Sequence, residues 1–196
     1  MFRISGIVTI LLVFIFCTEV FSDSSQEKYP HPIFIPFDHN CTGKTDEKLT
    51  HEAIVQILKA HSKWLKDPTA ADARRANFCE ADLSGDDFRM SMLAGANFTK
   101  AKLQDAQLQQ ANLTRANLSG ARLSGVNLDN AMLHLAILHD AILQNASMQD
   151  AMLYQANLQG VDLEHVKGLT QYQINMACID KQTKLPQGLS RPKPCS

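Results

Sequence analysis

From Ala76 to His165 the chain keeps one phase: a small residue, a polar one, a large apolar one and two more polar positions, repeated every five residues. Ala76-Asn77-Phe78, Ala81-Asp82-Leu83, Ala96-Asn97-Phe98, Ala111-Asn112-Leu113, Ala116-Asn117-Leu118 and Ala156-Asn157-Leu158 show the pattern. Counted without an insertion, the run holds 18 repeats; the third position is Leu in 14, Phe in three and Met in one. The first position is Ala in 14, with Asp86, Ser91, Val126 and Val161 as the exceptions. A fixed short period of this kind marks a stacked-repeat architecture before any single element is assigned.

Five fits neither regular element. On an α-helix the large residue would advance about 140° per repeat and spiral round the surface. On a flat strand it would alternate faces, because five is odd. All the large residues stay inside if the chain turns a corner once per repeat, so that each pentapeptide forms one short side of a coil. The Ala and the Leu then point inward together. The three other positions, often Asn or Asp before the Leu and Ser, Gln or Gly after it, are expected to face solvent.

The A-[D/N]-L-x-x pattern of these repeats resembles the pentapeptide-repeat family. That resemblance implies an all-β solenoid, a right-handed quadrilateral parallel β-helix with four pentapeptides per coil and short α-helices capping both ends. Eighteen repeats then make about four and a half coils, a rod roughly 22 Å long at the ~4.8 Å spacing of paired strands. Upstream, Thr50 is placed to N-cap a helix from about His51 to Leu65, with Ile54, Ile57, Leu58, His61, Trp64 and Leu65 on one face. Downstream, Thr170 and Gln173 form a capping box and Leu169 with Ile174 has hydrophobic-staple spacing, so a short helix is expected from Gln171.

The N-terminus has a different character. Arg3, the apolar run Ile7–Phe16 and Val20-Phe21-Ser22 read as a secretory signal cleaved after Ser22. The apolar run is too short to span a bilayer comfortably, so no membrane association is expected after its removal. The expected organisation is a signal peptide at 1–22, an extended segment at 23–49, a capping helix at 50–67, the repeats at 76–170, and a C-terminal helix and tail at 171–196. Localisation follows as exported: periplasmic, secreted, or lumenal in an organelle or cyanobacterium.

Cys41, Cys79, Cys178 and Cys195 remain in the mature chain. Four cysteines in an oxidising compartment imply disulfides, and sequence alone leaves three connectivities open. Placed on the β-helix that the resemblance implies, Cys79 should face outward on the first coil within reach of Cys41. Cys178 follows the short helix and Cys195 ends the tail. The expected pairs are therefore Cys41 with Cys79 and Cys178 with Cys195, each clamping a flank.

Charge and chemistry narrow the function. The chain of 196 residues carries 19 Lys and Arg against 20 Asp and Glu, which excludes a nucleic-acid binder built on one basic face. There is no P-loop, G-x-S-x-G, H-E-x-x-H or C-x-x-C. An interior filled by Leu, Phe and Ala leaves no concave polar site, so neither an enzyme nor a cofactor is expected. His134, His139 and Asp140 are the one constellation resembling a metal site, and they are expected to be solvated around a corner rather than convergent. Two functions compete: an exported interaction module binding a protein partner or a second copy of itself, and a DNA-mimicking topoisomerase inhibitor of the kind known in the family. Residues 76–170 hold 10 acidic and 6 basic side chains with the two signs mixed, a weak imitation of phosphates that favours the first. Stacking at a spacing of 20 puts apolar residues where Asn or Asp is usual, and Met132, Leu135, Ile137, Ile142, Met152 and Tyr154 are expected to form one exposed patch around a corner.

Overall fold

Parallel bridges between residues twenty apart define the architecture of the computed structural model, which describes residues 48–70 and 73–192. Twenty residues are four pentapeptides, so each coil has four sides. On the first side Asn77, Asn97, Asn117, Ile137, Asn157 and Cys178 stack in one ladder. The second carries Lys48, Asp82, Lys102, Arg122 and Ile142, the third Asp87, Gln107, Asn127, Ser147 and Lys167, and the fourth Met92, Asn112, Met132 and Met152. The expected signal segment, the stretch up to Glu47 with Cys41, and residues 193–196 with Cys195 lie outside the described residues.

The backbone donors of one repeat account for the motif. In the second repeat Leu83 N donates to Lys102 O (2.8 Å), and Gly85 N donates to Gln104 O (2.8 Å) on the next coil. Asn97 N reaches back to Ala76 O (2.9 Å), while Ala81 N closes the corner on Phe78 O (3.1 Å). The remaining donor is the N–H just after the large residue. It is taken by the side chain two residues before it: Asn77 Oδ1 accepts from Cys79 N (3.2 Å) and Asp82 Oδ1 from Ser84 N (3.1 Å). All nine Asn and Asp residues at that position make this bond, through Asp87, Asn97, Asn112, Asn117, Asn127, Asn157 and Asp162 as well. Their side chains therefore turn back on the backbone instead of simply facing solvent, and Asn97 is only 4% exposed. The expectation of an outward polar position is corrected there, because an Asx-type turn supplies the acceptor that the corner needs.

The corners impose a second requirement. Each is a turn closed by an i to i+3 bond, and its third residue has positive φ at 17 of the 18 corners: 12 non-glycine residues plus Gly85, Gly95, Gly120, Gly125 and Gly160. This is type II turn geometry. An L-residue held left-handed costs about 1–2 kcal/mol, offset here by the ladder bond its N–H makes, as Glu80 N does to Thr99 O (2.9 Å).

Inside the coils the large apolar residues from Phe78 to Leu163 are at most 2% exposed. Phe78 stacks on Phe98 with centroids 5.1 Å apart and meets Phe88 edge-on at 5.9 Å. Asp86 departs from the pattern: at an inward Ala position, its Oδ2 is buried without a partner and its Oδ1 lies 3.4 Å from Lys48 Nζ. Helix α1, His51–Lys66, starts where Thr50 accepts from Ala53 N (3.2 Å) and brings Ile54, Ile57 and Leu58 against the core. Helix α2, Gln171–Met176, opens on the Thr170 and Gln173 capping box. Gln173 Nε2 then donates to Met148 O (2.9 Å) and Ala151 O (3.0 Å), satisfying carbonyls at the last coil.

Cys79 follows the inward Phe78, at the position where a disulfide was expected. It is 5% exposed, although the same corner position in the next two repeats leaves Ser84 half-buried and Arg89 exposed. Cys79 and Cys178 are each disulfide-bonded, as expected of both, and the burial of Cys79 accords with that covalent contact.

Candidate interaction surface

Exposed large apolar side chains are concentrated on one side of the coil. Met92 and Met152 lie on the fourth side, and Leu135 and Tyr154 on the corner that follows it. Met90 occupies the corner before it. Tyr172, 70% exposed, belongs to α2, which fills the place of the fourth side between Lys167 of the third ladder and Cys178 of the first. Six of the seven exposed large apolar residues among those described thus border one side, and only Ile142 does not.

The expected patch is accordingly redistributed. Met132, Ile137 and Ile142 lie on the fourth, first and second sides in succession, so they do not share one surface. Met132 and Ile137 are half-buried; Leu135, Ile142, Met152 and Tyr154 are exposed. Met152, Tyr154, Leu135 and Met132 come together on adjacent rungs, with the His134 ring edge-on to Tyr154 at 6.4 Å. Met90 and Met92 stand apart, beyond the polar Asn112 rung. The repeat pattern does not single out Tyr172, whereas Met90, a bulky residue at a corner position, is a visible departure from it.

Apolar residues at the ladder position also cost a bond. Met92, Met132, Ile137, Ile142 and Met152 offer no acceptor to the corner N–H two residues on, where nine Asn and Asp residues do. Three of these five lie on the fourth side.

Some charged side chains pair between rungs. Lys102 Nζ lies 3.7 Å from Asp82, Lys100 lies 3.9 Å from Glu80, and Lys184 donates to Asp162 at 2.7 Å. The Lys184 hydrogen bond is the main cause holding the Asp162 carboxyl below its ordinary range. The two histidines find separate partners: His139 Nε2 lies 3.0 Å from Asp140 and its Nδ1 3.1 Å from Gln159 O, while His134 packs on Tyr154. Among the described residues no group of three or more His, Cys, Asp or Glu is placed to hold a metal ion. None of their helices is long and apolar enough to cross a membrane.

Several solved structures are similar to the chain. A pentapeptide repeat protein from the Arabidopsis thaliana thylakoid lumen is 30% identical, covering 57% of this chain and 77% of its own, with a TM-score of 0.49. One from the cyanobacterium Cyanothece 51142 is 25% identical over 65% of this chain and 99% of its own, with a TM-score of 0.45. The plasmid-mediated fluoroquinolone resistance protein QnrB1 is 21% identical over 58% and 64%, with a TM-score of 0.31. No curated protein matches the chain significantly in sequence. The model of the family described as pentapeptide repeats matches eight copies in overlapping segments that run from residue 69 to residue 167, half of the chain. The ladder of twenty-residue steps is thus the stacking of that family's repeat, and the chain belongs to the pentapeptide-repeat family.

Proposed function

We propose that this chain is an exported, non-enzymatic interaction module, a right-handed quadrilateral β-helical rod of about four and a half coils that binds a protein partner along its fourth side. The observation that carries this reading is the gathering of exposed Met152, Tyr154, Leu135 and Tyr172 around one side of an otherwise polar surface. Grouped apolar side chains more often mark an interface than bare surface, and Met is suited to contacts of irregular shape. A strand cannot add to this side, because its ladder N–H and C=O groups are already used along the rod, as in Met132 N to Ala111 O (2.9 Å) and Leu113 N to Met132 O (2.8 Å). Recognition there rests on side chains.

The pairing of Asp82, Asp162 and Glu80 with lysines weighs against a row of bare carboxylates imitating DNA, and so against the topoisomerase-inhibitor reading. Disulfides at Cys79 and Cys178 support export. The two stand at opposite ends of the first-side ladder, five rungs or roughly 24 Å apart at ~4.8 Å per rung, too far to be joined to each other. We assign Cys41 to Cys79 and Cys178 to Cys195, which peptide mapping of the unreduced mature protein tests directly; a Cys41–Cys195 link would refute it.

Crosslinked pull-down from the native compartment, paired with sedimentation analysis, tests the surface. The wild-type chain should capture a defined partner or self-associate, and Met152→Asp should lose that association while its circular dichroism stays unchanged. Unchanged association in the folded variant would remove the fourth side from consideration.

A further inference from the structure

The ring of His61 is fully buried between α1 and the first coil. Its Nδ1 accepts a hydrogen bond from Ala76 N (3.1 Å), and its face stacks on Trp64 at 5.5 Å with an interplanar angle of 12°. Trp64 in turn reaches the first coil, where its Cη2 lies 3.4 Å from the position a side chain on Gly95 would take. An Nδ1 that accepts from a backbone N–H carries no proton, so the neutral ring holds its proton on Nε2. That atom is buried and has no hydrogen-bond partner.

We propose that α1 is an acid-releasable plug on the first coil, held in place by a neutral His61 and freed when that imidazole takes up a proton. The added proton comes from solvent and goes to Nδ1, the one ring nitrogen with a free lone pair. The imidazolium then faces Ala76 N–H with a donor instead of an acceptor, and its Nε2–H still meets no acceptor. Both ring donors would be buried and unsatisfied, on a charged group. Because the docked ring is sealed from water, proton uptake occurs in the undocked form and draws the equilibrium toward it.

The charged surroundings favour release. The link between α1 and the coil carries Arg74, whose Nη1 donates to Ala73 O (2.7 Å), and Arg75, whose charge bears on the imidazole. Lys63 follows on α1 itself, and among the described residues burial and the Arg75 charge both act against the ring's charged form. Burial first, and Arg75 second, lower the His61 pKa from 6.5 to about 4. A folded value below the free value means that the undocked form binds more protons between those limits. Docking is at full strength well above pH 6.5 and weakens as the pH falls, by about 150-fold at pH 4 for a shift of that size. Release uncovers the aromatic end of the rod, where Phe78 and Phe88 meet.

Amide hydrogen exchange on the full chain tests this, with protection factors corrected for the intrinsic pH dependence of exchange. Between pH 7 and pH 4 the amides of α1 should lose protection by up to about 150-fold while those of the central coils, such as Leu113 and Leu118, keep theirs. Emission from Trp64, the only tryptophan in the chain, should shift over the same range. His61→Asn keeps an acceptor near Nδ1 without a titrating group, and should hold α1 protection level down to pH 4. A loss of protection that persists in His61→Asn overturns the proposal. The wild-type profile decides even without the variant: α1 protection that stays constant from pH 7 to pH 4, or that falls only in step with the central coils, overturns it equally.

Discussion

Gly168 rests on the backbone of Gln149: a Cβ at Gly168 would stand 2.7 Å from Gln149 Cα and 2.8 Å from its N. With φ at +77°, this is also where the chain leaves the third side and turns into α2. Two constraints coincide, and only glycine meets both. Gly168→Ala should lower stability by more than about 2 kcal/mol, combining left-handed strain with a backbone clash. Gly85→Ala, at a corner with nothing within 4 Å of the added carbon, should cost only about 1 kcal/mol. Urea unfolding of the two variants measures the difference, and equal losses would contradict the packing argument.

Acid should act on the two ends of the rod in different windows. At the C-terminal end Asp180 Oδ1 accepts from Gly160 N (3.1 Å), Thr183 N (2.9 Å), Thr183 Oγ1 (2.9 Å) and Gln182 N (3.1 Å). The Gly160 bond is the largest cause holding this carboxyl below its ordinary 3.8. A depressed carboxylate pKa contributes stability above the free value and loses it as the pH falls through the folded one. Protection of Gly160 and of the 177–184 segment should therefore persist at pH 4 and fail below 3.8, whereas α1 responds above pH 4. Asp180→Ala should loosen that segment at neutral pH as well.

Met152 offers nothing to the N–H of Tyr154, whereas Asn117 Oδ1 accepts from both Ser119 N (3.0 Å) and Ser119 Oγ (2.6 Å). Met152→Asn should stabilise the rod by about 0.5–1 kcal/mol by supplying the missing acceptor, and it should weaken partner capture at the same time. Asn117→Ala should cost about 1–2 kcal/mol. Thermal unfolding midpoints compare the two, and a destabilised Met152→Asn would show that the methionine earns its place through contacts within the coil.

Asp86 is the one acidic residue at an inward repeat position, with Oδ2 buried and unpartnered. Its contact with Lys48 is partly exposed and worth little. Asp86→Ala restores the small residue found at most other repeats, and should leave stability unchanged or raise it by about 1 kcal/mol. A loss above 1 kcal/mol in denaturant titration would mean that Lys48, which also donates to Ser84 O (2.6 Å), anchors the flank through this carboxylate.

The repeat was legible from Ala76-Asn77-Phe78 onward because burial depends on spacing alone: a five-residue period can keep Leu83 and Leu113 inside only if the chain turns once per repeat. The capping signals at Thr50 and Thr170 were legible for a similar reason, since they satisfy donors within three residues of themselves. Longer-range decisions were not. Glycines at 85, 95, 120, 125 and 160 signalled a corner, but the positive φ forced on Met90 and Leu135 follows from closing a turn whose strands are held by coils twenty residues away. The half-burial of Met132 against the exposure of Met152 depends likewise on neighbouring rungs. Tyr172 joins the fourth side only because α2 takes the place of a pentapeptide there. His61 was placed on the apolar face of its helix by periodicity, yet its bond to Ala76 required the helix to be docked. Local periodicity and capping chemistry are properties of the chain itself, whereas exposure, strain and the state of a buried imidazole are set by groups that only folding brings within reach.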